Sequence, residues 1–479
     1  MSGARAASRG LVIAGTASGT GKTTITCGLI AALRARGLRV VPFKVGPDYI
    51  DPTYHARAAG RACETLDSWM VPHAALRDLF ARGAASADIA VIEGVMGLFD
   101  GRTGGGEAGS TAEVAKLLGL PVVLVVDAAK IARSIGAQVL GYQRFDPDLA
   151  IAGVILNNVA SDTHAALCTE AIEGATGIPV LGALPRDEAL RAPERYLGLI
   201  PTVEGRVADA FFDAAEARVA SRVDLDRLLA IAGGAADVEG VTDSGLWPET
   251  PARERTPIAY AADEAFSFMY PANLELLAAW GAELLPFSPL HDAALPAGAR
   301  GVYLGGGFPE LYAEALAANA PMRASVRGAA ARGVPVYGEC GGLMYLGETL
   351  TDEDGRAHAM AGVVPLRSSM ARRRLTLGYR TATARADGPH LARGHTVRGH
   401  EFHWSTLDAP PAAATAAYAL GEGDAINAPG AAVEGYAHAN VWASYVHLHF
   451  AADAAIAPRF VQACRPATPR APVAGRKRA

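Results

Sequence analysis

Cysteine is scarce in this chain: five among 479 residues (Cys27, Cys63, Cys168, Cys340 and Cys464), odd in number, scattered and without a C-x-x-C pair. That excludes a disulfide framework and a cysteine-built zinc site, and it fits a reducing compartment. Long apolar runs are missing too. The longest, residues 117–126, is interrupted by Pro121 and falls far short of a bilayer's thickness. The N-terminal stretch has no apolar segment of the signal-peptide kind, so a cytoplasmic protein without membrane contact is expected. Nor does one sign of charge dominate. Lys and Arg number 44 against 49 Asp and Glu, a net −5, which argues against a nucleic-acid binder. A polyanionic ligand would have to be met by local clusters of Lys and Arg.

What is present is a globular composition, half hydrophobic, in a chain long enough for two or three domains. Apolar runs at 11–14, 40–44, 89–93, 122–126, 151–156 and 180–184 alternate with helical stretches. Runs that are apolar throughout suit a parallel sheet covered by helices on both faces. The reading is therefore α/β, with two doubly wound units: a first domain over 1–232, a linker over 233–256 rich in Gly, Asp, Pro and Thr, and a second domain over 257–455. Residues 456–479, which end Arg-Lys-Arg-Ala, are expected to form a mobile C-terminal tail.

Residues 15–24 read Gly-Thr-Ala-Ser-Gly-Thr-Gly-Lys-Thr-Thr, between an apolar strand and a helix. Glycines let such a loop turn its N–H groups inward onto phosphates, and the helix start favours the anion. Thr16, Gly19, Thr20, Gly21, Lys22, Thr23 and Thr24 are thus candidate nucleotide-binding residues, with Lys22 for the β/γ-phosphates and the Thr23 hydroxyl for Mg²⁺. The spacing is stretched: five residues rather than four separate Gly15 from Gly21. The second strand runs into Lys44-Val-Gly-Pro-Asp48-Tyr49-Ile50-Asp51-Pro52, with His55 close behind, and the third apolar strand ends at Glu93. Strand ends on this side of an open parallel sheet face the ligand crevice. Thr23, Glu93 and Asp48 or Asp51 offer the hard oxygens that Mg²⁺ takes. Asn157, after a later strand, is placed to hydrogen-bond a purine edge or to serve a turn.

In the second unit, 334–345 read strand, sharp turn, helix, with Cys340 at the corner followed by Gly341 and Gly342. This is the pattern of a nucleophile elbow built on cysteine. Gly341, with Gly306 and Gly307 from another glycine cluster, are candidate oxyanion donors. His447 is the candidate base. Arg372, Arg373, Arg374, Arg380, His400 and His403 form the densest cationic cluster, read as facing an acidic substrate.

The stretched loop with Lys44, Glu93-Gly94 and Asn157 resembles the dethiobiotin synthetase type of P-loop ATPase, which activates a carboxylate. The second unit resembles the class I glutamine amidotransferases. Their fusion in this order, with the 44–52 string, Gly305-Gly-Gly-Phe-Pro-Glu310, Gly338-Glu-Cys-Gly-Gly342 and Glu401-Phe-His-Trp-Ser405, is similar to the cobyrinic or hydrogenobyrinic acid a,c-diamide synthases over about residues 9–450. The resemblance implies an ATP- and glutamine-dependent amidoligase with Cys340 as nucleophile and His447 as base. It further implies Glu93 with Asp48 and Thr23 for Mg²⁺, and Lys44, Tyr49, Ile50, Asp51 and His55 beside the carboxylates of a corrinoid. The partners it implies are small molecules, and it leaves room for a homodimer. Many amidotransferases carry an orienting Glu two residues after the His; here that place is His449. Related amidoligases acting on cobyric acid precursors or nickel-sirohydrochlorin share these features. A partitioning-type switch ATPase fits less well, because 16–18 lack its second lysine.

Overall fold

The computed structural model describes residues 9–187, 209–234, 244–421 and 432–466, with a few positions between 194 and 207. The first unit is a seven-stranded parallel sheet: β1 (Gly10–Gly15), β2 (Val40–Val45), β3 (Glu64–Leu66), β4 (Ile89–Glu93), β5 (Val122–Asp127), β6 (Ile151–Val159) and β7 (Val180–Pro185). Their spatial order is β3-β2-β4-β1-β5-β6-β7. Strands β1, β2 and β4 are buried at every residue, as their unbroken apolar runs require when helices cover both faces. The order places the C-terminal ends of β1, β2 and β4 side by side. β3 was not anticipated, since three residues of mixed polarity leave no periodic signal. Helix α1 (Lys22–Ala35) follows β1 directly, and α2 (Asp51–Ala59) follows the loop after β2.

The second unit is built on a six-stranded sheet in the spatial order Ala282–Phe287, Thr256–Ala261, Gly301–Leu304, Val336–Glu339, Val441–Ser444 and Tyr436–His438. Its pairs are parallel except the last. An antiparallel sheet of Thr396–His403, Thr376–Ala384, Tyr418–Gly421 and Ala432–Glu434 lies beside it. Both units are thus doubly wound α/β, as expected.

The two units share a buried boundary. The Tyr379 hydroxyl donates to Asp67 Oδ2 at 2.7 Å and its ring lies 4.6 Å from Trp69, while Arg398 donates to the Trp69 carbonyl at 3.0 Å. Burial pushes the Asp67 carboxyl up to about 6 although it accepts from the Tyr379 hydroxyl and from the amides of Trp69 and Met70. Edge strand β3 is flanked by the second unit: helix Pro271–Ala279 packs on it, with the Glu64 carboxyl against the Ala272 backbone amide and His449 against the backbone of Thr65.

The linker gains detail, and one expectation of organisation changes. The described part of the linker is not loose: Ser244 bonds Asp78, Arg82 lies 3.9 Å over the Trp247 ring, and the Trp280 indole donates to the Leu246 carbonyl at 2.8 Å. The stretch read as tail from 456 begins with a helix, Ile456–Ala463, whose Ile456, Ala457, Phe460 and Val461 are buried; apolar residues four apart make one face of it worth docking. Residues 467–479, including the basic end, and 235–243 of the linker lie outside the described residues. Among the described residues no helix is long and apolar enough to cross a membrane.

Candidate active site

The phosphate loop joins β1 to α1. Gly21 sits at φ 89°, and a Cβ there would come within 2.3 Å of Asn157 Nδ2, so only glycine fits. Asn157 instead donates to the Thr20 carbonyl at 2.9 Å, fixing the loop from β6. Thr20 donates to the Ala17 carbonyl, and the Thr16 carbonyl accepts from Tyr142 at 2.5 Å. Gly19 stands in open space at φ 78°. Thr23 and Thr24 lie in the first turn of α1, half-buried. Lys22 Nζ is held by the carbonyls of Ala17 (3.1 Å) and Met96 (2.6 Å), and burial lowers its pKa. These carbonyls are an anchorage that phosphate oxygens can replace.

Behind the loop lies a buried ionic cluster. Lys44 Nζ reaches Asp51 Oδ2 at 2.8 Å, Glu93 Oε1 at 3.0 Å and the Gly94 carbonyl at 3.1 Å, with Asp48 at 3.8 Å. Burial opposes its charge, but the three carboxylates outweigh that and raise its pKa. Glu93 is fully buried; despite burial, Lys44 and His55 hold its carboxyl well below the ordinary range. The Thr23 hydroxyl donates to Glu93 at 2.9 Å and lies 3.4 Å from Asp51.

This geometry corrects three expectations. Asp51, not Asp48, stands beside Thr23 and Glu93. Asp48 Oδ1 instead accepts the backbone amides of Ile50 and Asp51, shaping the loop, and burial beside Asp51 pushes its carboxyl up to about 7. His55 is fully buried, one turn after Asp51 on the same face of α2, where it pairs with Glu93 and lies 3.5 Å from Cys27 Sγ. It supports Glu93 from beneath and is closed to a substrate. Ile50 is half-buried between a hydrophobic cluster of the first unit and one that runs across both units.

In the second unit Cys340 sits between strand Val336–Glu339 and helix Gly341–Leu346 at φ 49°, ψ −101°. A non-glycine residue held there stores roughly 1–3 kcal/mol of strain, as nucleophile elbows do. Its amide donates to the Ser444 carbonyl at 2.7 Å, and its thiol lies 3.7 Å from the Phe402 carbonyl, within the Glu401–Ser405 string. Burial raises the thiol pKa strongly, and the Gly341 amide counters only in part, so the thiol needs a base. His447 is brought to the elbow: a Cβ on Gly306 would lie 2.5 Å from His447 Cε1, and Gly306 in turn adjoins Gly341. Gly307 N lies 3.1 Å from the position of a Gly341 Cβ, so those two amides flank the elbow together. Gly306 does not join them as a donor, because its N–H is bonded to the Phe268 carbonyl at 2.9 Å.

The expected cationic cluster is only partly in place: Arg372 and Arg374 are exposed, while its other members are paired or neutral. Arg373 and Arg380 are paired with Glu353 and Glu401, and burial lowers His400 to about 3 and His403 to about 4, leaving both neutral near pH 7. His403 stacks on Tyr445 at 3.8 Å.

Tyr49 departs furthest from expectation. It belongs to the loop between Asp48 and Asp51, yet its ring is buried in the second unit, 4.6 Å from Tyr270, 5.2 Å from Phe268 and 4.9 Å from the His447 ring. One residue thus touches both centres, which no spacing in the sequence announces. Tyr49→Leu is expected to keep the fold but to loosen this link; a lowered midpoint in thermal unfolding checks it.

A phosphate loop on one parallel sheet, and on a second a cysteine elbow with an imidazole packed on the adjoining Gly306, define a P-loop nucleotide-binding unit joined to a class I glutamine amidotransferase unit. Residues 11–200 match the family model of the CobQ/CobB/MinD/ParA nucleotide binding domain, and 257–455 that of the CobB/CobQ-like glutamine amidotransferase domain. The chain is 46% identical to a cobyrinate a,c-diamide synthase of Dehalococcoides mccartyi (strain CBDB1), covering 94% of this chain and 97% of that protein. It is 45% identical to the hydrogenobyrinate a,c-diamide synthase of Streptomyces coelicolor (95% and 97% covered) and 45% identical to the cobyrinate a,c-diamide synthase of Salmonella typhimurium (92% and 95%). The chain belongs to this family of a,c-diamide synthases, which are amidoligases.

Proposed function

We propose that this enzyme amidates the a and c carboxylates of cobyrinic or hydrogenobyrinic acid, with ATP activating each carboxylate as an acyl phosphate and glutamine supplying the nitrogen. The observation that carries this reading is Tyr49, which packs the loop of the ionic cluster directly against His447, whose ring lies on Gly306 next to the cysteine elbow. Two centres so joined suit a reaction in which one activates a carboxyl and the other releases ammonia.

In the first unit, the loop amides and Lys22 bind the triphosphate and balance the charge that moves onto the leaving ADP. The substrate carboxylate takes the γ-phosphoryl group. Thr23, Asp51 and Glu93 form a set of hard oxygens that fits Mg²⁺, which would supply further neutralisation of the phosphates. In the second unit, His447 takes the Cys340 Sγ proton, the thiolate attacks the glutamine amide carbon, and the Gly341 and Gly307 amides face the developing oxyanion. His447 returns that proton to the amide nitrogen, ammonia departs, water hydrolyses the thioester to glutamate, and the ammonia, shedding a proton, displaces phosphate from the acyl phosphate to give the amide.

Incubation of the enzyme with each macrocycle, ATP, Mg²⁺ and glutamine, followed by mass measurement, tests the substrate; a product carrying two amides is expected. Hydroxylamine in place of a nitrogen source should give a hydroxamate with release of ADP. Failure to form it would overturn the acyl phosphate.

A further inference from the structure

His447 lacks a carboxylate at the place two residues on, and His449 does not replace one. His449 is fully buried, its Nδ1 accepts the Ala451 amide at 3.2 Å, its ring lies 4.9 Å from Tyr270, and burial lowers it to about 4. It is neutral and engaged away from Cys340. Yet both ring nitrogens of His447 are buried without a hydrogen-bond partner. A base whose tautomer and ring angle are unset is a poor base, because one nitrogen must keep its proton while the other takes the thiol's.

One carboxylate meets that need. Glu339 immediately precedes the nucleophile, at the end of its strand, and its Oε2 lies 3.8 Å from His447 Nδ1, both side chains being 1% exposed. Its position is tightly set. Oε1 accepts from the Tyr337 hydroxyl at 2.5 Å and from the Leu448 amide at 3.0 Å, while Oε2 accepts from the Tyr303 hydroxyl at 3.1 Å. Since Leu448 follows His447, the same group pins the base's backbone and faces its ring. Two other acids lie near the elbow, Glu310 and Glu401, and Glu401 is held by Arg380 at 2.6 Å.

We propose that Glu339 is the positioning residue of the glutaminase centre, holding the Nδ1 proton of His447 so that Nε2 accepts the thiol proton, and balancing the imidazolium that results. The inference rests on the proposed amidotransferase function. At 3.8 Å the contact is longer than a hydrogen bond, as such contacts are before substrate closes the site. The role that many amidotransferases give to a residue after the histidine is here taken by the residue before the cysteine.

Glu339→Gln and Glu339→Asp, purified as full-length enzyme, test it by glutamine-dependent and ammonium-dependent synthesis side by side. Gln keeps an oxygen for Tyr337 and Leu448 but removes the charge facing His447. Its glutaminase kcat is expected to fall roughly 10–100-fold with little change in KM for glutamine, while ammonium-dependent synthesis persists. Asp, which restores the charge on a shorter arm, is expected to recover part of the loss. Unaltered kcat in Glu339→Gln, or equal losses in both variants with ammonium use intact, would assign Glu339 a structural role and overturn the proposal. If Glu339→Gln loses ammonium-dependent synthesis as well, Glu339→Asp decides alone: a selective loss of glutaminase kcat supports the proposal and none overturns it. A wild-type enzyme that uses ammonium but never hydrolyses glutamine would instead overturn the amidotransferase function itself.

Discussion

Cys340→Ser is expected to lose glutamine-dependent amide formation by a factor of about 10³ or more, yet to form the same amides when ammonium is supplied. The hydroxyl is a far weaker acid than the thiol, and the buried elbow raises even the thiol pKa. In the proposed mechanism His447 then meets a proton it cannot readily remove. The backbone at the corner already holds φ 49° with a non-glycine side chain, so serine adds no new strain, and the phosphate loop lies on another sheet. Retained glutamine use in this variant would remove Cys340 from the chemistry. Loss of both nitrogen sources would show instead that the corner also shapes the first unit's site.

Lys44→Met is expected to be damaging in a different way, disabling synthesis from either nitrogen source and lowering stability by about 3–5 kcal/mol, as when one partner of a buried ion pair is removed. Lys44 is 2% exposed and serves Asp51, Glu93 and the Gly94 carbonyl at once. In the wild type the folded-state pKa of Glu93 is depressed, so its contribution is present at neutral pH and fades as pH falls below the ordinary carboxylate range. Without the ammonium, the buried carboxylates favour the protonated form, so the deficit of the variant should shrink as pH falls. Denaturant unfolding of both proteins at several pH values checks this; a deficit that widens in acid would contradict it.

The parts legible in the sequence were those whose chemistry is local in the chain. A glycine-rich turn between strand and helix, and a cysteine between strand and glycines, each carry loop, backbone and helix start within about ten residues. The parts that were not legible depend on the direction a side chain takes. Asp48 and Asp51 look equivalent in the 44–52 string, but the turn that Asp48 caps sends only Asp51 toward Thr23. The resemblance groups His55 with Lys44 and Asp51 as facing the substrate, yet one turn further into α2 it is fully buried against Glu93. Tyr49 leaves its own domain altogether. Glu339 reads as a strand-end residue until the fold returns the 441–447 segment alongside it. The Ile456–Ala463 helix was obscured by a Pro- and Ala-rich stretch whose apolar face becomes visible only once it is docked.

The flank of β3 has a consequence for how this polypeptide can be divided. An outermost strand offers bare amides and carbonyls to any passing chain, and proteins generally shield it. Here the shield of Glu64–Leu66 is supplied by helix Pro271–Ala279 and by His449, which belong to the other half of the molecule. Severing the chain near residue 240 would therefore expose a sticky seam on the ATP-binding fragment and invite its precipitation, whereas producing both fragments together would let the seam close.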